Sequence, residues 1–290
     1  MDEAIAELYS AFYFITSLRL PAVIQKEYPQ FNFAVSDSIK RQLADAYKEF
    51  VNLVLMEELS YKPLGIIRPG VLHVMKMLYQ LQKNKKVAHV VIYSNNDSLP
   101  CLEFIRDVIH AYLGTTTLIC ECAYRTHPLR NELYAYDKTW NSLKRVLIQG
   151  HCKAPITLEP KDVYFFDDLD HKDLKEALGK QYYQVPPYEF KASYERLAEL
   201  YMNAVQHVSM MQFATLVAMV YGTARHPIAT SLHHVLTLFK ASTVRTASKD
   251  DVPPLHDKGI IMMKTAIYSV KHRAIGKRTQ KKRRIHKKSI

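Results

Sequence analysis

The sequence predicts an α/β protein in which a parallel sheet carries helices on both faces. Between residues 63 and 186, segments with a helical spacing of apolar residues alternate with short apolar runs rich in β-branched residues. Such runs are typical of parallel strands that are buried on both faces, and their alternation with helices is typical of a parallel sheet. The chain has 290 residues, 48% of them hydrophobic, which is enough for one large domain with additional helices.

The elements of this middle region can be predicted in order. Pro69-Gly70 precedes a helix, because the apolar residues from Val71 to Leu81 recur at helical spacing. The next run, from Val87 to Tyr93, is a predicted buried strand. The elements that follow are a helix to about residue 111, a strand over 116–122, a helix over 138–150, a strand over 162–166, a helix over 172–178 and a strand near 181–185.

The flanking regions are predicted to be mostly helical. One helix is expected over residues 39–59, and two more follow the middle region, over about 194–221 and 228–239. We expect the C-terminal helices to pack on the sheet, with binding of a partner protein as the alternative. The predicted organisation is a domain over 1–190 with a motif-bearing core over 63–186, a helical extension over 191–249, and a linker with a basic tail over 250–290.

Polar residues follow two of the predicted strands at the point where each strand ends. Ser94-Asn95-Asn96 follows the first strand, and Asp167-Asp168 follows the third. In open parallel sheets, ligands bind beyond the carboxyl ends of the strands. The sequence therefore predicts a functional site at this edge of the sheet.

These segments together resemble motifs of a known enzyme family. Arg68-Pro69-Gly70, a helix, and the strand that ends in Ser94-Asn95-Asn96 resemble the second motif of haloacid-dehalogenase-type (HAD) phosphatases. The closest branch is the one that dephosphorylates the C-terminal domain of RNA polymerase II. The run that ends in Asp167-Asp168 resembles the fourth motif. Lys138 is the best counterpart of the third-motif lysine and Lys144 the second choice, so the resemblance covers about 120 residues.

The resemblance implies a HAD-like fold and a role for each motif residue. In that family an aspartate attacks phosphorus and becomes an acyl phosphate. Ser94 and Asn95 would bind phosphate oxygens, and Lys138 would offset the negative charge of the reacting groups. Asp167 and Asp168 would hold Mg²⁺, a hard cation that prefers carboxylate oxygens and water.

The first motif of that family, a strand followed by Asp-x-Asp, is missing from the N-terminal region. No two acids before residue 60 have this spacing, and alignment on Phe12–Leu18 would put Ile15 and Ser17 at the two aspartate positions. Asp37 follows a strand-like run and is the alternative nucleophile. The more ordinary interpretation is that Asp37 or Ser36 caps the helix that begins there. Without a first-motif carboxylate, Mg²⁺ should bind weakly.

The four cysteines are too few and too irregularly spaced for a disulfide framework. We expect ordinary buried thiols and an intracellular, reducing compartment. A zinc site is the alternative, with Cys120, Cys122, His127, His151 and Cys152 as its donors.

The net charge of +12 comes almost entirely from the last twenty residues. Residues 271–290, here called the basic segment, contain ten Lys or Arg and no acid, whereas the rest of the chain has 30 basic and 28 acidic residues. This pattern indicates a nuclear-import signal or an arm that binds nucleic acid or another polyanion. The cations expected to contact the polyanion are Lys277, Arg278, Lys281, Lys282, Arg283, Arg284, Lys287 and Lys288.

No apolar run in the sequence is long enough to span a bilayer, so no membrane span is expected.

Three functions are compatible with the sequence. The first is a catalytically degenerate HAD-like protein that acts as a binding or structural component, in the nucleus or in a virion-like assembly. The second is an active Mg²⁺-dependent phosphomonoesterase with an aspartyl-phosphate intermediate, in which Asp37 attacks. The third is an unrelated α/β protein, which requires that Ser94 and Asp167 are not neighbours.

Overall fold

The computed structural model describes residues 37–96, 99–130, 137–188, 194–205 and 257–270. Two 3₁₀ turns, Pro160–Asp162 and Gly179–Gln181, accompany the regular elements. In chain order these elements are α1 (Asp37–Glu58), α2 (Val71–Lys83), β1 (Val90–Tyr93), α3 (Leu99–Leu113), β2 (Ile119–Ala123), α4 (Trp140–Gln149), β3 (Phe165–Asp167), α5 (Lys172–Leu178), β4 (Tyr182–Gln184), α6 (Tyr194–Val205) and α7 (258–270).

Local residue chemistry explains where several of these helices begin and end. Gly70 precedes α2 with a φ of 90°, a left-handed conformation that favours glycine, and a Cβ there would lie 3.1 Å from the side chain of Ile260. The side chain of Thr139 caps α4 by accepting a hydrogen bond from the backbone N–H of Ser142 at 3.3 Å. Gly179 follows α5 with a φ of 53°.

The strands form two parallel pairs. β1 pairs with β2, with Val90 opposite Ile119, and β3 pairs with β4, with Phe165 opposite Tyr182. The predicted α/β class and the parallel pairing are therefore confirmed. Within the described residues, the strands form two sheets of two strands each rather than one continuous sheet.

Several predicted boundaries shift in the structure. The helix predicted from the spacing of Val71 to Leu81 and the helix predicted over 172–178 are present as α2 and α5, because their apolar spacing and flanking glycines are strong local signals. The prediction that Lys138 opens a helix is wrong, since Thr139 is the cap and α4 begins after it. Residues 258–270 form a helix where the sequence predicted a linker and tail. The predicted helix over 228–239 lies outside the described residues.

The chain divides into two compact units, and α1, most of α3 and α6 belong to the first. Its core is aromatic: the ring of Phe50 stacks on Phe104 at 5.2 Å and meets Tyr201 edge-on at 6.1 Å. Helix α6 buries Leu197, Leu200 and Tyr201 and packs on α1. The described part of the predicted C-terminal helix thus packs on another helix, and its packing on the sheet stays a prediction.

The second unit contains both strand pairs together with α2, α4, α5 and α7. The apolar faces of α2 and α7 pack together through Val74, Leu81, Ile260 and Ile267. An ion pair of 2.7 Å between Arg68 Nε and Asp257 Oδ2 fixes the start of α7. This unit contains a partly open groove of about 610 Å³, lined mainly by apolar side chains from α2, β1, α4, β3 and α7.

None of the helices in the described ranges is both long enough and apolar enough to cross a membrane.

Candidate functional site at the strand ends

Arg130 connects the chain segments that follow β1 and β2. Its Nη1 donates to the carbonyl oxygens of Ser94 at 2.5 Å and Tyr124 at 3.3 Å. Its Nη2 donates to Asn95 Oδ1 at 2.8 Å and to the carbonyl oxygen of Asp137 at 3.4 Å. The rigid fork of a guanidinium group suits several fixed acceptors at once. Arg130 therefore holds the Ser94-Asn95 turn beside the segment that leads to Lys138.

Lys138 and Asp167 form a buried ion pair next to this turn. Lys138 Nζ donates to Asp167 Oδ2 at 2.5 Å, and the two residues are only 6% and 9% exposed. The Lys138 ammonium group lies 5.9 Å from the ring centre of Tyr93 and 5.7 Å from that of Phe165. The Arg130 guanidinium lies 4.4 Å from the ring centre of Tyr93. The ends of β1 and β3 thus share one cluster of charged side chains.

The carboxylate of Asp167 is held in its charged form. Oδ1 accepts a hydrogen bond of 2.9 Å from the backbone N–H of Leu169, and His171 Nε2 lies 3.4 Å from the same oxygen. Burial alone raises the pKa of Asp167, but the contact with His171 and the charge of Lys138 outweigh it and lower the pKa well below the ordinary value. Asp167 is therefore ionised at neutral pH.

His171 has a buried imidazole nitrogen whose hydrogen-bonding capacity is not satisfied by the described residues. It is 6% exposed, and its Nε2 forms no well-aligned hydrogen bond with the described residues. Its backbone N–H donates to the Tyr182 hydroxyl at 3.1 Å, and that hydroxyl donates to the carbonyl oxygen of Leu169 at 2.5 Å. These bonds fix the turn between β3 and α5, which presents the imidazole to Asp167.

The acidic pair does not fit the magnesium site that the family resemblance implies. Asp168 is exposed, whereas the oxygens of Asp167 accept hydrogen bonds from Lys138 and Leu169. A divalent cation on Asp167 would lie beside the Lys138 ammonium group, and the two like charges would repel. Among the described residues, no group of three metal-binding side chains includes either aspartate. We therefore derive no chemical step through magnesium.

The other predicted site residues are not among the residues that form this cluster. Asp37 is the first residue of α1 and belongs to the other unit. Lys144 lies within α4, and Lys138 rather than Lys144 contacts Asp167. Ile15, Ser17 and the cations of the basic segment lie outside the described residues. The structure thus brings together four of the predicted site residues, which are Ser94, Asn95, Lys138 and Asp167. Asp37 is not one of them.

The cysteines differ from the expectation of four free thiols. Cys120 and Cys152, 32 positions apart, form a disulfide with their Cα atoms 5.1 Å apart, so the prediction is wrong for this pair. Cys101 and Cys122 are buried and form no disulfide, as predicted. The pairing arises because the turn after α4 returns to β2, a tertiary contact with no signal in the local sequence.

A second buried carboxylate lies beside the disulfide. Glu121 accepts hydrogen bonds of 2.8 Å from the backbone N–H of His151 and from its Nδ1, and His127 Nε2 is 3.8 Å away. Burial raises the pKa of Glu121, but these contacts lower it overall. Burial also lowers the pKa of His127, which favours the neutral imidazole. The two histidines of the predicted zinc set therefore contact Glu121.

Sequence reasoning missed Arg130 and His171. His171 stands four residues after Asp167, on the turn before a helix, and this spacing is only a weak signal that the two side chains meet. The local sequence gives no signal for Arg130. No known family model matches this chain, and comparisons with curated proteins and with solved structures find no match.

Proposed function

We propose that the protein is a catalytically degenerate, HAD-like binding component that contacts nucleic acid or another polyanion through its basic segment. One observation carries the non-catalytic part of this proposal. Lys138 and Asp167, the two groups that would serve a phosphoryl reaction, are buried and bonded to each other. Their charges are already compensated, so neither group is presented to a substrate as an open charge.

The N-terminal sequence supports the same conclusion. A phosphoryl-transfer mechanism of this type needs a carboxylate nucleophile with a second acid two residues later. No Asp-x-Asp precedes residue 60, and Asp37 is followed two positions later by Ile39. A lone Asp37 would lack its acid–base partner.

The alternative is an active Mg²⁺-dependent phosphomonoesterase, and one observation favours it. The backbone of Ser94 is tied through Arg130 to the segment that carries Lys138, and Lys138 contacts Asp167, so the groups that the family resemblance assigns to phosphate and metal lie near one another. This alternative requires a nucleophile and a cation beside Asp167, and the donor set there favours the non-catalytic function.

Hydrolysis of an aryl phosphate by the full chain, with and without Mg²⁺, distinguishes the two functions. Asp168→Asn is a suitable control because Asp168 is exposed and its substitution leaves the buried pair intact. We expect no Mg²⁺-dependent turnover above that of the variant. Mg²⁺-dependent turnover that the variant abolishes would overturn the non-catalytic proposal and establish the phosphomonoesterase.

The polyanion-binding part of the proposal rests on the charge of residues 271–290. Ten cations without an acid attract phosphates with little sequence preference, and binding releases counterions. The slope of log K against log salt is about −0.9 for each phosphate neutralised, so ten cations allow a slope of at most about −9.

Titration of labelled double-stranded DNA at several salt concentrations tests this part. Substitution of Lys281, Lys282, Arg283 and Arg284 by Gln should make the slope shallower by about 3 to 4. A matched control replaces four exposed lysines elsewhere, which are Lys62, Lys85, Lys172 and Lys180. Equal weakening by both sets, or no binding at about 50 mM salt, would overturn polyanion binding by the basic segment.

A further inference from the structure

Three metal-binding side chains meet at the edge of the β1–β2 pair. His89 directly precedes β1, Cys120 lies in β2, and Cys152 follows α4. One donor atom from each residue lies within 4.8 Å of the others, with Cys152 buried and the other two half-buried. Cys120 lies where the register of the pair shifts, between Ile119 opposite Val90 and Glu121 opposite Val91, and its Sγ lies 3.4 Å from the carbonyl oxygen of Val90, the residue after His89. This cluster belongs to neither the strand-end cluster nor the basic segment.

We propose that these three residues bind one Zn²⁺ when the Cys120–Cys152 disulfide is reduced. Two thiolates and an imidazole form a donor set that zinc prefers, and three protein ligands leave a fourth position for water. A disulfide alone requires no imidazole beside it, so His89 is the residue that distinguishes a metal site from a simple cross-link.

The surrounding structure holds the two cysteines close together without the disulfide. The backbone N–H of His151 and its Nδ1 both donate to Glu121 at 2.8 Å. The backbone at Gly150 approaches so closely that a Cβ there would lie 2.6 Å from Glu121 Oε2. These contacts join the turn after α4 to β2 at positions adjacent to both cysteines. Reduction therefore leaves two neighbouring thiols, which can separate by side-chain rotation to accommodate a metal ion.

Oxidation and zinc binding exclude each other at this site. A peroxide oxidises the two thiolates: the Sγ–Sγ bond forms, the peroxide O–O bond breaks, and two electrons pass from sulfur to oxygen. With two protons taken from solvent, hydrogen peroxide leaves as two water molecules, and Zn²⁺ is released without a change in its charge. The disulfide and the zinc complex are thus the oxidised and reduced states of one site.

Titration of the reduced full chain with Zn²⁺, and with Co²⁺ as a spectroscopic substitute, tests the proposal. We expect one ion per chain and an absorption band from thiolate-to-cobalt charge transfer. His89→Ala, Cys120→Ala and Cys152→Ala should each weaken affinity by at least about 10- to 100-fold, the loss typical even for residues that only support a ligand. Cys122→Ala is the matched control and should bind normally, because Cys122 is a buried cysteine of the same strand that lies outside the disulfide.

The unmodified protein provides a test that does not depend on the folding of the variants. Peroxide should release the bound zinc, and a phosphine reductant should restore binding. Retention of zinc after complete disulfide formation would overturn the proposal, as would the absence of binding by the reduced chain. Binding by His89→Ala equal to that of the unmodified protein would also overturn it, because the site would then lack its third ligand.

Discussion

Asp167 and Glu121 are both buried carboxylates in the same unit, yet they are compensated in different ways. Asp167 pairs with the ammonium group of Lys138 at 2.5 Å. Glu121 contacts two histidines, which carry charge only when protonated, and it relies on hydrogen bonds from His151. The stability of the strand-end cluster should therefore depend on the charge of a partner. The stability around Glu121 should depend mainly on hydrogen-bond geometry.

Removal of the partner charge at Asp167 should have the largest effect. Lys138→Met leaves a buried, unpaired carboxylate, and such changes cost about 3–5 kcal/mol of unfolding free energy. Chemical denaturation of the full chain measures this loss. The double variant Lys138→Met with Asp167→Leu should recover most of it, because no unpaired charge remains. A loss below about 1 kcal/mol in the single variant would contradict this prediction, because the pair would then contribute no more than a solvent-exposed ion pair.

A neutral amide at Glu121 should have a smaller effect. Glu121→Gln keeps the shape and one acceptor oxygen but weakens the hydrogen bonds from His151, so we expect a loss of about 1–2 kcal/mol in the same denaturation experiment. Glu176→Gln, on the exposed face of α5, is the control and should change stability by less than about 0.5 kcal/mol. A loss equal to that of Lys138→Met would remove the distinction between the two carboxylates.

Acid should reduce the contribution of both carboxylates to the free energy of unfolding, and the pH range of the loss should differ between them. The pKa of each is lowered by folding, so each contribution is complete above the unfolded value and declines as the pH falls below it. This decline begins below about 4.5 for Glu121 and below about 3.8 for Asp167. We expect the stability difference between the unmodified protein and Glu121→Gln to shrink first, and that for Asp167→Asn to persist to lower pH. Denaturation curves collected from pH 6 to pH 3 measure both differences. A difference for Asp167→Asn that shrinks before the one for Glu121→Gln would contradict the prediction.

The elements that could be predicted from sequence are those whose signals are local. Apolar spacing and flanking glycines define α2 and α5, and a β-branched run marks β1. The separation of the strands into two pairs depends on long-range pairing, which periodicity does not encode. Helix α7 was missed because its neighbours have the composition of a linker and a basic tail.

The same distinction applies to the candidate site. Ser94, Asn95 and Asp167 could be predicted because polar residues at the ends of parallel strands are typical of ligand sites, although β1 and β3 belong to separate strand pairs. Lys138 could be predicted only from the family resemblance. It lies before the cap of α4, where no helical or strand pattern marks it. Arg130 acts through backbone carbonyls that only the folded chain brings together, and the Cys120–Cys152 pair likewise has no local signal.

The groove lined by α2, β1, α4, β3 and α7 has a calorimetric consequence. It has a volume of about 610 Å³, is lined mainly by apolar side chains and is partly open to solvent. Exposure of apolar surface on unfolding raises the heat capacity, and surface that already touches water in the folded chain adds nothing to this increase. This unit should therefore show a slightly smaller heat-capacity change on unfolding than a unit of equal size without such a groove.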